Sequence, residues 1–195
     1  LQDTTHTTMQ VWEFYEDTTG KLWIGTQRLG LFGYDLETET IENFQYTPHQ
    51  NSISSNAIKS IVLIDSLLYI GTEGGGLNLF FPGDGKFISY TEEEGLLNNS
   101  IWSILPEKEN SIWISTNTGL SHFSNNLFLN YGSSSGLECR EFNVNSGIAI
   151  SDTFFIFGCN EGMVLFDPRY IQPRQFTPNL VFNTIQIDDK TIYPL

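Results

Sequence analysis

Short apolar runs separated by Gly, Asp, Asn and Ser follow one another along the whole chain. Within many of them apolar and polar residues alternate, which is the period of a strand with two unlike faces. The runs also repeat. Leu22-Trp-Ile-Gly-Thr26 returns as Leu68-Tyr-Ile-Gly-Thr72, as Ile112-Trp-Ile-Ser-Thr116 and, weakened, as Phe154-Phe-Ile-Phe-Gly158, at offsets of 46, 44 and 42 residues. A second motif keeps step: Gly30-Leu-Phe-Gly-Tyr34, Gly76-Leu-Asn-Leu-Phe80, Gly119-Leu-Ser-His-Phe123 and Gly162-Met-Val-Leu-Phe166. So does a third, in Phe44-Gln-Tyr46, Phe87-Ile-Ser-Tyr90 and Phe128-Leu-Asn-Tyr131, and upstream of the first stand Val11/Phe14, Ile58/Ile61 and Ile101/Ile104.

Each unit reads as four short strands; in the second they cover Ala57–Ile64, Leu67–Glu73, Leu77–Phe81 and Lys86–Thr91. Asp17-Thr-Thr-Gly20 and Asp84-Gly85 are hairpin signals, because glycine supplies the positive φ that such turns need. Four-stranded antiparallel units at this period predict an all-β fold, a β-propeller of about four four-stranded blades. The blades fall at about 1–46, 47–90, 91–131 and 132–168, with 169–195 as a separate tail. Trp23, Tyr69 and Trp113 share one repeat position, which predicts packing between blades. Trp12 and Trp102 match on the first strand, and packing is again the expectation, with stacking on a sugar ring as the alternative.

Composition narrows the picture. The chain of 195 residues carries 23 Asp+Glu against 9 Lys+Arg, a formal charge of −14. Such a chain repels nucleic acid and anionic membrane surfaces, since phosphate neutralisation needs clustered Lys and Arg. With 15 Phe, 8 Tyr and 4 Trp it has ample material for a core, and disorder is excluded. No apolar run approaches the roughly 18–20 residues that span a bilayer. Cys139 and Cys159 do not make a disulfide framework. They read as two small apolar side chains, with pairing in an oxidising compartment as the alternative.

Leu-Trp-Ile-Gly-Thr, then Gly-Gly-Gly-Leu-Asn, then Phe-x-x-Tyr, then Gly95-Leu-Leu-Asn-Asn-Ser-Ile101 resembles the two-component regulator propeller repeat. The resemblance covers about Val11 to Pro168. It implies the periplasmic sensor region of a hybrid two-component histidine kinase, built as a propeller of roughly seven blades. Three blades would then lie outside this chain, and a four-bladed arc would expose apolar faces at both ends; a closed four-bladed disc is the alternative. The last repeat departs from the pattern, as suits a terminal one. Pro173, Pro178 and Pro194 mark a change of texture, and the resemblance implies that an immunoglobulin-like domain begins there. It further implies the remaining blades and that domain as partners, and a homodimer in the full-length receptor.

Catalytic constellations are sparse. His6, His49 and His122 lack metal-ligand spacing, there is no Gly-x-Ser-x-Gly elbow, and Glu73-Gly-Gly-Gly76 reads as a turn. No catalytic residue, cofactor or metal is expected in this segment. Recognition is expected instead on the loops joining second to third strands and one blade to the next. The candidate ligand contacts there are Arg28, Glu73, Asn98, Asn99, Asn117, Arg140, Asn160 and Glu161. Their amides and carboxylates suit the hydroxyls of an oligosaccharide, and either arginine could clamp a uronate or sulfate. A polysaccharide-active enzyme and a protein-interaction scaffold are the rival readings.

Overall fold

The computed structural model describes residues 9–108, 110–150 and 153–171, and the backbone of 185–187 and 190–192. The alternating runs form strands grouped in sheets of consecutive antiparallel neighbours. The first sheet holds β1 (Val11–Glu16), β2 (Lys21–Thr26), β3 (Leu31–Asp35) and β4 (Ile41–Phe44). The second holds β5 (Ile58–Ile64), β6 (Leu67–Thr72), β7 (Leu77–Phe81) and β8 (Lys86–Tyr90). The third holds β9 (Ile101–Pro106), β10 (Ile112–Thr116), β11 (Leu120–Ser124) and β12 (Leu127–Tyr131). In the fourth, β13 (Phe142–Ile150), β14 (Phe154–Cys159) and β15 (Gly162–Phe166) are the described strands. A last hairpin pairs β16 (Ile185–Ile187) with β17 (Lys190–Ile192). The rest of the expected immunoglobulin-like segment lies outside the described residues.

The architecture is the predicted propeller arrangement, with the first strands β1, β5, β9 and β13 innermost and side by side. Because a strand's side chains alternate, each sheet has one face toward the preceding blade and one toward the next. Between the first two blades Trp23 and Leu31 meet Ile58, Ile61, Leu68, Ile70 and Phe80. The second and third join through Val62, Tyr69, Leu79, Ile101, Ile104, Ile112 and Ile114. Leu105, Trp113, Phe142, Phe155 and Phe157 fill the space between the third and fourth. Trp23, Tyr69 and Trp113 are 1%, 5% and 3% exposed, as inter-blade packing requires. Burying such a side chain contributes on the order of 2–3 kcal/mol.

The repeated motif has a steric logic. A Cβ on Gly25 would stand 2.7 Å from Ile58 Cγ2, and one on Gly71 would stand 2.4 Å from Ile101 Cγ2. Glycine therefore lets the next blade's innermost strand press against the second strand. The threonine that follows works locally: buried Thr26, Thr72 and Thr116 donate to the carbonyls of Gly30, Gly76 and Gly119 at 2.8–2.9 Å.

The pairing shifts the fourth repeat by one residue from the expected Phe154–Gly158 to 155–159, so that Cys159 stands at the threonine position, and here the expectation of two small apolar side chains is corrected as well. The loop leading into β13 passes beside the end of β14, bringing Cys139 and Cys159 to a Cα separation of 5.9 Å, and they form a disulfide. A separation of twenty positions gave no hint of the contact, because the loop's return onto the second strand belongs to the blade fold and not to local spacing.

Among the described residues no fourth core joins the last blade to the first. On the outer face of the fourth sheet Ile148, Ile156 and Leu165 form one cross-strand row and Ile150 pairs with Phe154. Ile148, Leu165 and Met163 remain 57%, 55% and 68% exposed. On the first sheet the row Phe14–Ile24–Phe32 faces the same gap, and Phe14 is exposed. Near the axis a side-chain hydrogen bond spans the seam, from Asn145 Nδ2 to the carbonyl of Trp12 at 2.8 Å.

Candidate ligand-binding site

The innermost strands all break register near their beginning. Val11 pairs with Thr26 and Glu13 with Gly25, leaving Trp12 extra. In the same way Lys59 is left over between Ile58 and Ser60, and Trp102 between Ile101 and Ser103. Bulges of this kind re-aim a side chain. Here they bring Lys59 between two indoles: its Nζ lies 4.0 Å from the Trp12 ring centre and 5.8 Å from that of Trp102. The ammonium is buried and its carboxylate partner is Glu73, 2.9 Å away and half exposed. Cation–π attraction and an ion pair thus replace the water that burial removes.

Beside this bridge the innermost strands line an open axial cavity of about 500 Å³, with Trp12, Glu13, Ser60, Ser103, Asn145 and Gly147 among its walls. A volume of this size is typical of small-molecule sites. Ser60 Oγ accepts from Ile104 N–H at 3.1 Å, linking the second and third blades. Ser103, 4% exposed, has a hydroxyl with no hydrogen-bond partner. Burial raises the Glu13 pKa above the ordinary carboxylate value, against a smaller lowering by the Phe14 N–H. No cation pairs with Glu13 among the described residues.

The loops with the sequence-predicted contacts gather at the end of the fold where Trp12, Lys59 and Trp102 begin their strands. Backbone bonds tie each second-to-third loop to the chain ahead of its innermost strand: Gln27 to Gln10, Glu73 to Ala57, Asn117 to Ser100 and Asn160 to Glu141. The individual residues differ in what they do there. Asn99 accepts from Glu92 N–H at 2.8 Å, and Asn98 accepts from Ser100 N–H, so both shape their own loop. Asn160 donates to Glu141 at 2.7 Å. Arg28, Asn117, Arg140 and Glu161 are exposed, and Glu161 lies close to the disulfide. Of the eight, Glu73 reaches the axial bridge, through its ion pair with Lys59.

Lys59 and Glu13 escaped the reading of the sequence. Each was legible as an exception: Lys59 stands in the tryptophan register of Trp12 and Trp102, and Glu13 in the serine register of Ser60 and Ser103.

Comparison with known proteins agrees with this geometry. The profile of the two component regulator propeller family matches residues 6–28 and 95–118. Histidine kinase P4 of Formosa agariphila is 25% identical over 194 residues, covering 95% of this chain and 14% of its own length. The chain therefore spans about a seventh of that relative. Among solved structures, one described as the extracellular domain of a hybrid two component system of B. thetaiotaomicron aligns over 93% of this chain and 26% of its own, with 18% identity and a TM-score of 0.69. A second such domain from the same organism covers 82% of this chain and 28% of its own, with 22% identity and a TM-score of 0.56. The chain thus contains two segments that match the two component regulator propeller repeat, and it shares its fold with the extracellular domains of such systems.

Proposed function

We propose that this chain is part of the extracytoplasmic sensor region of a hybrid two-component histidine kinase, and that it recognises oligosaccharide. The observation that carries the reading is the pair of regulator propeller repeats within an arc of blades whose loops converge on an axial cavity. The disulfide supports a periplasmic setting, since such bonds persist in oxidising compartments. No helix among the described residues is long and apolar enough to cross a membrane.

The reading assigns binding here and phosphoryl chemistry elsewhere in the receptor. Ligand binding then changes the relative arrangement of domains in a paired receptor and biases the kinase by a population shift.

Calorimetric titration of the intact ectodomain against a panel of oligosaccharides tests the proposal. Saturable heat with the glycan recovered whole is expected. Cleaved glycan would favour the enzyme reading, and no heat or thermal shift across the panel would overturn oligosaccharide sensing.

A further inference from the structure

We infer that the axial cavity is itself the ligand site, and that it takes a neutral, hydroxyl-rich ring such as an uncharged pyranose in preference to an acidic sugar. This rests on the sensor reading and adds to it the place and the charge class of the ligand. The loops at the rim were the expected contacts; the cavity beneath them has the groups still in need of a partner.

The polar atoms of the cavity are mostly acceptors. Glu13 presents a half-buried carboxylate without a cation. Asn145 spends its amide N–H₂ on the Trp12 carbonyl and keeps its side-chain oxygen. The Ser103 hydroxyl is buried with no partner, an arrangement that costs free energy until a ligand atom meets it. Trp12, 37% exposed, supplies a flat apolar wall. Hydroxyl donors on a ring with an apolar face satisfy all four at once. A uronate or sulfate meets the opposite: Glu13 repels it, and Lys59 is already held by Glu73 and an indole.

The test titrates the intact ectodomain with neutral oligosaccharides, their uronate-containing counterparts and amino-sugar analogues, for the natural sequence, Glu13→Gln and Ser103→Ala. Removing one charged acceptor should weaken neutral-sugar binding roughly tenfold. Ser103→Ala should weaken binding while leaving the unliganded melting temperature equal or higher, because an unpartnered buried hydroxyl is removed; a merely structural serine would show the reverse. If the natural sequence binds and both variants bind equally well, the site lies elsewhere while the sensor reading stands. Tighter binding of the uronate than of the neutral parent overturns the charge preference, whereas tighter binding of the amino sugar supports it, through Glu13. Failure of the whole panel to bind overturns the sensor reading and this site with it.

Discussion

Three of the seams in this molecule are filled and one is not. Where blades meet, an aromatic from the second strand of one sheet (Trp23, Tyr69 or Trp113) lies against branched or aromatic side chains of the next. At the open seam the same position on the fourth sheet is Ile156, and its neighbours Ile148, Met163 and Leu165 face outward. The first three sheets are alike in pairing and register; in the fourth, with three described strands, β13 runs from Phe142 to Gly147 before its regular pairing with β14 resumes. What separates the two situations is only whether a second apolar face is present to remove the first from water. A blade is thus a half-interface, and the stability of the arc resides between sheets more than within them.

That contrast can be broken at its strongest point. Trp113→Ala should destabilise by about 3–5 kcal/mol, whereas Leu165→Ala on the open face should change stability by less than about 0.5 kcal/mol. Urea unfolding of the two variants side by side measures the difference; equal losses would mean that the open face is covered in solution. Replacing both Cys139 and Cys159 by serine should cost about 3 kcal/mol on the loop-closure account. The loss should appear as a lower denaturation midpoint and should match that of the natural chain under reductant.

A smaller effect is expected from the spacing between blades. Gly71→Ala places a methyl group against Ile101 and should cost about 1–3 kcal/mol. Gly74→Ala, which meets nothing within 4 Å, carries only the backbone penalty of a positive φ. Smallest is Asp17. Burial opposes its ionisation, but donors from Thr19, Trp23 and Lys21 outweigh it, so its pKa lies below the ordinary value. A depressed folded-state pKa gives stability that is present above the unfolded pKa and is lost as pH falls through the folded one. Asp17→Asn removes the acceptor of Trp23 Nε1 and should cost about 1 kcal/mol at neutral pH. The cost should shrink below the unfolded carboxylate pKa of about 3.9, as thermal melts across pH would report.

Much of the fold was legible because two periods coincide in the chain. Residue alternation marks the strands, and the return of Leu-Trp-Ile-Gly-Thr marks the blades. The predicted second unit, Ala57–Ile64 through Lys86–Thr91, differs from β5–β8 only by one residue at a few ends. The candidate site was less legible. A repeat reveals what blades share, whereas a site inside a ring is built from what they do not share. Glu13, Lys59 and Asn145 each occupy a position whose counterparts in other blades are chemically different. The prediction from loop composition found Glu73 and missed its partner, because which strand faces the axis is a tertiary fact. The disulfide was hidden for the same reason.

That disulfide also bears on the order in which the arc comes apart. The first and fourth sheets each have one packed neighbour, so opening should begin at an end and proceed blade by blade. At the fourth blade a covalent bond joins the approach to β13 with the end of β14, while the equivalent place in the first blade is held by hydrogen bonds, from Gln27 N–H to Gln10 and from Thr26 to Gly30. The two ends are therefore unequal latches. Amides of β1 and β2 should exchange with solvent ahead of those in β13 and β14, and reduction should bring the two ends toward parity.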